Sequence, residues 1–330
     1  DLARPDAAET LRQALRTLAS MAILVVVLVA CQQGESVDVG DPGTTQAADG
    51  GTVGTSPPDT GSGDETAGGT LIAAQGAEPD RLDPHLTSAY ASFQILENVY
   101  DTLVQPGDDL TMEPALAESW DISDDQLTWT FHLREGVKFH NGRDLTAEDV
   151  VYSFSRLAAL DKGPAFLIQD LGVTPDNYQD VLRAVDEHTF EMTLDQGYAP
   201  SFVLNVLSGG NFSIVDSALA QEHEVDGDWG SEWLKTNSAG SGPFQLDQMV
   251  PNDRIVMSRF DSYWQGAPEL ARLMWRHVEE PASQRLLLEQ GDIDVARNLL
   301  ADQLEPLRQG GEMQLVEARL GRALYSSHAR

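Results

Sequence analysis

Leu127-Thr128-Trp129-Thr130-Phe131-His132-Leu133-Arg134-Glu135-Gly136-Val137-Lys138-Phe139-His140-Asn141-Gly142 is the stretch from which the fold is read. Leu127, Trp129, Phe131 and Leu133 alternate with Thr128, Thr130 and His132, the two-residue period of a strand with one buried face. Asn141-Gly142 supplies a tight turn. Thr146 then offers a helix N-cap, with Asp149 at the third helical position to complete a capping box. Val150, Val151, Phe154 and Leu157 form the buried stripe of the helix that follows. Outward from this block, Leu71-Ile72-Ala73-Ala74 reads as an opening strand. Ser92 to Leu103 reads as a helix striped by Phe93, Leu96, Val99, Tyr100 and Leu103. Phe190, Met192 and Leu194 alternate in a further strand, and Pro251-Asn252-Asp253 joins Phe244-Gln245-Leu246 to Ile255-Val256-Met257 in a hairpin. Pro281 and Gly291 frame a helix through Leu286, Leu287 and Leu288, and Asp292-Ile293-Asp294-Val295 leads into a strand or loop. The class is mixed α/β, without internal repeats.

The 330 residues, 41% of them hydrophobic, suffice for two domains with real cores. Lys plus Arg number 21 against 53 Asp plus Glu, a formal charge of −32, so nucleic acid is excluded as a partner. Residues 1–31 read as an export signal: Arg4, Arg12 and Arg16 precede the uncharged run from Leu18 to Ala30, too short to span a bilayer, which needs about 20 apolar residues. The sole cysteine, Cys31, follows Leu28-Val29-Ala30, and this Leu-Val-Ala-Cys resembles the lipobox of bacterial lipoproteins. In those proteins the chain is cut before the cysteine and the thiol is lipidated. The first residue is Asp1 and not Met, so it is not expected to be the natural start. Residues 32–70 hold no Lys, Arg, aromatic, Leu or Ile, and read as a disordered, acidic tether rich in Gly, Ser and Thr. No later segment is long and apolar enough to cross a membrane.

Catalytic motifs are missing from the sequence. It has no phosphate-binding loop, no zinc helix of the His-Glu-x-x-His type and no Gly-x-Ser-x-Gly nucleophile elbow. Asn237-Ser238-Ala239-Gly240-Ser241-Gly242-Pro243 is glycine-rich but precedes a strand, so it reads as a turn and not a phosphate cradle. The histidines show no ligand spacing, and His132 falls on the outward side of its strand. Asp121, Asp124 and Asp125 lack the Gly and terminal Glu of a calcium loop and read as a solvated turn. The tryptophans read as core, and the knot Phe260-Asp261-Ser262-Tyr263-Trp264 as packing at a domain boundary. No cofactor, metal or catalytic residue is expected.

Glu113-Pro114-Ala115-Leu116-Ala117-Glu118-Ser119-Trp120, the block from Leu127 to Gly142, and Leu145-Thr146-Ala147-Glu148-Asp149-Val150-Val151-Tyr152-Ser153-Phe154 together resemble the signature of the family 5 extracellular solute-binding proteins. These are the oligopeptide, dipeptide and nickel receptors of ABC importers. The resemblance continues, in the family's order, through Leu82-Asp83-Pro84-His85, Gly240-Ser241-Gly242-Pro243-Phe244, Ser258 to Trp264, and Gly291-Asp292-Ile293-Asp294. It implies a bilobal, type II clamshell of the periplasmic-binding-protein kind with an extra subdomain, closing on solute about a hinge. Residues 71–100 and 216–265 are then expected in lobe I, 101–215 in the appended subdomain, and 266–330 at the start of a second lobe that this chain carries only in part.

The resemblance also implies a role. The protein is expected to be an exported lipoprotein held by membrane lipid through Cys31 at the outer face of the cytoplasmic membrane. There it would work as a monomer that captures short peptides and delivers them to ABC permease subunits. Peptide receptors of this family lay the ligand backbone against an extended segment that carries over onto Ser88, Ala89 and Tyr90, where main-chain pairing gives affinity without reading side chains. A second contact carries over onto Ala165, where the family has an aromatic, with Phe166 adjacent. A third, the crossover from subdomain to lobe, falls on Gly210, Asn211 and Phe212. A nickel chelate, an oligosaccharide or another small solute is the alternative cargo, and an anchored extracellular hydrolase is the reading from a different class.

Overall fold

A computed structural model describes residues 68–107 and 111–310. The expected signal, Cys31 and the tether as far as residue 67 lie outside the described residues, as do residues 311–330. Among the described residues there are eleven strands: β1 Thr70–Gln75, β2 Val104–Pro106, β3 Met112–Pro114, β4 Ala117–Ile122, β5 Thr128–Leu133, β6 Leu182–Asp186, β7 Thr189–Thr193, β8 Phe244–Val250, β9 Arg254–Arg259, β10 Arg272–His277 and β11 Val295–Ala296. The helices are α1 Tyr90–Val99, α2 Ala147–Leu160, α3 Phe166–Gln169, α4 Tyr178–Val181, α5 Pro200–Leu207, α6 Ser217–Glu222, α7 Ser231–Leu234, α8 Pro281–Gln290 and α9 Ala301–Gly310. Thr70, read as the last tether residue, is the first of β1, where it faces Arg272 of β10. No helix among the described residues is long and apolar enough to cross a membrane.

The alternation in β5 buries Trp129, Phe131 and Leu133 on one face of an antiparallel sheet ordered β4-β5-β7-β6. Phe131 stacks on Phe190 of β7 at 6.0 Å, and Phe154 of α2 meets Phe190 edge-on at 5.3 Å. Each such ring contributes about 1.5–3 kcal/mol by leaving water. The capping box forms as read: the Thr146 amide donates to the Asp149 carboxylate at 2.9 Å and starts α2. His132 points outward to Asp121, 2.8 Å away, while Asp125 accepts the Leu127 amide at 3.1 Å inside an exposed turn.

A second, five-stranded sheet is ordered β11-β1-β10-β9-β8, and β2 pairs with β3 in a small two-stranded sheet. Residues 70–75 run parallel to residues 272–277, and β9 and β8 continue antiparallel as the expected hairpin. Leu273 and Trp275 of β10 bury against Ile95, Leu96 and Val99 of α1. This five-stranded sheet runs past the boundary expected near residue 266. β10, α8 and β11 all follow it, yet β10 is the strand between β1 and β9, because the alternation Leu273, Trp275 presents an apolar face that this core requires. The helix read from Ser92 to Leu103 is also shorter. Tyr100 is extended at φ −124°, its amide closing onto the Leu96 carbonyl, and Leu103 is buried beyond the helix end.

One polar cluster ties the two larger sheets together. Arg156 of α2 is fully buried and donates to both oxygens of Asp83 at 2.7 and 2.6 Å, to the Trp229 carbonyl at 2.9 Å and to Ser231 Oγ at 3.1 Å. His85 Nδ1 lies 2.9 Å from the same guanidinium, which can only donate, so the imidazole accepts there and its Nε2–H donates to the Ser213 carbonyl at 3.0 Å. Burial, reinforced by Arg156, holds His85 down to about 4, so the ring is neutral.

Candidate functional site

The loop that leads into α1 is held from below and left open above. Asp83 and His85 fix its start through Arg156. Asn211, buried in the turn Gly210–Phe212, donates from Nδ2 to the Pro84 carbonyl at 2.7 Å and the Thr87 carbonyl at 3.0 Å. Thr87 Oγ1 donates to Asp80 at 2.6 Å and accepts the Ala89 amide at 3.0 Å, while Ser92 Oγ donates to the same Asp80 oxygen at 2.7 Å. Burial pushes the Asp80 carboxyl up, but the Thr87 and Ser92 hydroxyls, with Arg81, outweigh it and hold the group below its usual range.

What this scaffolding presents is Ser88, exposed, then Ala89 at φ −80° and ψ 126°, then Tyr90, 46% exposed. Among the hydrogen bonds of the described residues, neither the amide nor the carbonyl of Ser88 takes part. The extended segment ends one residue earlier than the sequence suggests. Tyr90 is the first residue of α1, because the Ala89 carbonyl already accepts the Ser92 and Phe93 amides at 3.1 and 3.2 Å. Its amide is one of the groups a helix leaves unpaired at its start.

Two further segments converge on this loop. A Cβ on Gly163 would stand 3.7 Å from Ser88 Oγ, so the turn Gly163–Ala165 passes close beside it and delivers Phe166, 56% exposed, at the start of α3. A Cβ on Gly210 would meet the Phe93 ring of α1 at 2.7 Å, which places the 210–212 turn against the same helix. The structure thus gathers Ser88, Ala89, Tyr90, Phe166 and Gly210, but turns Asn211 and Phe212 inward. The Asn211 amide group is used up by the loop it supports, and Phe212 is fully buried against Phe154 at 5.4 Å. Packing against the α2 core accounts for that orientation.

Sequence reading passed over Asp80 and Arg297. Arg297 leaves β11 and donates from Nη2 to Tyr90 Oη at 3.1 Å, with its guanidinium 5.2 Å from the centre of the Trp275 ring. Two residues separated by 207 positions leave no local signal, and only the pairing of β11 with β1 brings them together. Among the described residues, no group of three or more His, Cys, Asp or Glu side chains is arranged to hold a metal ion.

Comparison with known proteins places this geometry in context. The sequence model of the bacterial extracellular solute-binding proteins, family 5 Middle, matches residues 111–327. The chain is 36% identical over 253 residues to the probable D,D-dipeptide-binding periplasmic protein DdpA of Escherichia coli, spanning 75% of this chain and 46% of that protein. It is 30% identical over 230 residues to the dipeptide-binding protein DppE of Bacillus subtilis, spanning 66% and 41%. Among solved structures, the periplasmic binding protein DppA of Helicobacter pylori, in complex with the peptide STSA, superposes with a TM-score of 0.65 at 29% identity over 73% of this chain and 49% of that one. The chain therefore spans about half the length of the relatives it matches, and its fold is that of the type II binding proteins. By the match of its sequence, the chain belongs to the family 5 bacterial extracellular solute-binding proteins.

Proposed function

We propose that the protein captures short peptides outside the cytoplasmic membrane and passes them to an ABC permease, held to the membrane by lipid on Cys31. The observation that carries this reading is the exposed Ser88 segment, whose amide and carbonyl take no hydrogen bond among the described residues while Thr87 and Asn211 hold the loop on either side of it. Such an edge adds an extended chain by main-chain hydrogen bonds and is indifferent to side-chain sequence. Phe166 borders it as an apolar contact, and Gly210, Asn211 and Phe212 act as its support. Residues 101–215 would form the appended subdomain, and the chain beyond Arg297 would lead into the second lobe. That lobe would close the cleft over the ligand and shift the population toward the form the permease accepts.

A different small solute is favoured by one finding. A binding protein in complex with mannopinic acid, from A. tumefacien R10, superposes with a TM-score of 0.63 at 25% identity. Melting the full-length protein against pools of peptides, metal chelates and oligosaccharides separates the readings, since stabilisation grows with the logarithm of ligand concentration over Kd. Peptide pools of mixed sequence are expected to raise Tm by several degrees at 100 times Kd, where the stabilisation is about 2.7 kcal/mol. A rise with chelates or sugars alone would keep the receptor and discard the peptide, and turnover of a pool would overturn both.

A further inference from the structure

Arg297 is a cation of the described residues that stands beside the Ser88 segment with no carboxylate at hydrogen-bond distance. The protein has 21 Lys and Arg against 53 Asp and Glu, so an arginine is expected to find a carboxylate partner at hydrogen-bond distance. Arg156, Arg143 and Arg183 each do. Arg297 does not: its one hydrogen bond among the described residues is to the phenol of Tyr90, and its buried Nε has no partner. Glu97, about two turns of α1 beyond Tyr90, acts on Arg297 and Tyr90 through space. Burial pulls Arg297 below its ordinary value, opposed by Tyr90 and Glu97, so the cation is only partly compensated.

The position is rigid. Ala296 is paired to Ala74 of β1. Asn298 accepts the Gly76 amide at 2.7 Å on Oδ1, and its own amide donates to Gln284 Oε1 at 3.2 Å. Gln284 is fully buried and donates to the Val278 carbonyl at 2.7 Å. With the backbone fixed on both sides and the guanidinium lying over the Trp275 ring, little side-chain entropy is left to lose on binding. A planar, permanently charged fork of this kind matches the paired oxygens of a carboxylate or a phosphate, and of these a peptide carries the carboxylate.

Building on the receptor reading above, we infer that Arg297, presented by Tyr90 and Trp275 beside the Ser88 segment, selects ligands that carry a carboxylate. The carboxylate could be the C-terminus of a short peptide or an acidic side chain, and the two sources are separable. The test titrates the full-length protein and its Arg297→Gln and Arg297→Lys variants with four tripeptides: Ala-Ala-Ala, its C-terminal amide, Ala-Glu-Ala amide and Ala-Gln-Ala amide. Arg297→Gln is expected to weaken one acid-bearing ligand at least tenfold relative to its neutral counterpart, and Arg297→Lys to recover part of the loss. A drop for Ala-Ala-Ala but not its amide assigns the C-terminus, and a drop for the Glu peptide but not the Gln peptide assigns the side chain. Equal loss across all four, or none, would overturn the assignment while leaving peptide capture standing. Failure of the unmodified protein to bind any of the four would overturn peptide capture, and the assignment with it. Melting of the unliganded variants within a few degrees of the parent confirms that they fold.

Discussion

Arg156→Met is expected to destabilise the protein by about 3–5 kcal/mol, read as a lower denaturant midpoint with an unchanged slope. Methionine fills much of the arginine's volume, so the loss is not one of packing. It leaves the Asp83 carboxylate, fully buried and formerly held by two hydrogen bonds from one guanidinium, as an uncompensated charge. The Trp229 carbonyl and Ser231 hydroxyl lose partners at the same time. The double variant Arg156→Met, Asp83→Leu should recover much of the stability, because removing both charges also removes the cost of keeping them out of water. If the single variant melts with the parent, the cluster is not the tie between the sheets.

The same cluster sets an acid limit. His85 is held neutral, with a folded value of about 4 against about 6.5 when unfolded. His140, half-buried and donating from Nε2 to the Gly242 carbonyl, is likewise down to about 4 because its ring is withdrawn from water. In both cases the unfolded chain takes up the proton first. Their contribution is therefore complete above pH 6.5 and is lost as the pH falls toward 4, on the order of 2–3 kcal/mol for each histidine. His85→Gln should flatten part of that decline, and an undiminished slope in this variant would remove His85 from the explanation.

Gly240→Ala is the second change of large effect. A Cβ there would lie 1.9 Å from the carbonyl oxygen of Val99, the last residue of α1, with Tyr100 at 3.1 Å. The obstacle is backbone, so no rotamer change relieves it. The loop cannot back away either: the Gly242 amide donates to that same carbonyl at 3.0 Å, and the Gly240 carbonyl accepts the His140 amide at 3.0 Å. A loss of about 3–5 kcal/mol, the upper range for single substitutions, is expected in chemical denaturation. Gly142→Ala is the contrasting case. Its φ is +88°, but nothing lies within 4 Å of the added carbon, so only the conformational cost of about 1 kcal/mol applies. Equal losses at the two positions would show that close approach to Val99 does not set the cost at Gly240.

These two predictions mark where the sequence was legible. The β5 alternation, the Thr146 cap and the helix between Pro281 and Gly291 are local patterns, and each was readable because its cause lies within a few residues. The glycine-rich loop was legible as a turn, but its reason, contact with Val99 some 140 positions earlier, was not. Arg156 and Asp83 are 73 positions apart, with no period to betray them. The start of α1 was misplaced because Ala89 has no capping side chain, and the helix begins where the Asp83–Thr87 loop releases it. Asn211 and Phe212 were chosen by resemblance, and their burial depends on a core assembled from β5, β7 and α2. The family's order of motifs identified the segment around Ser88. Its support by Asp80 and its neighbour Arg297 required the sheet pairing.

Main-chain capture at Ser88 is tested most directly by titrating the full-length protein with Ala-Ala-Ala and with analogues in which each amide in turn is an ester. Loss of one N–H donor and weakening of its carbonyl should lower affinity roughly 3–10 fold at the linkage that meets Ser88, the worth of about one hydrogen bond. The other linkage should tolerate the change. Equal affinity for the peptide and all its esters would contradict capture through the backbone.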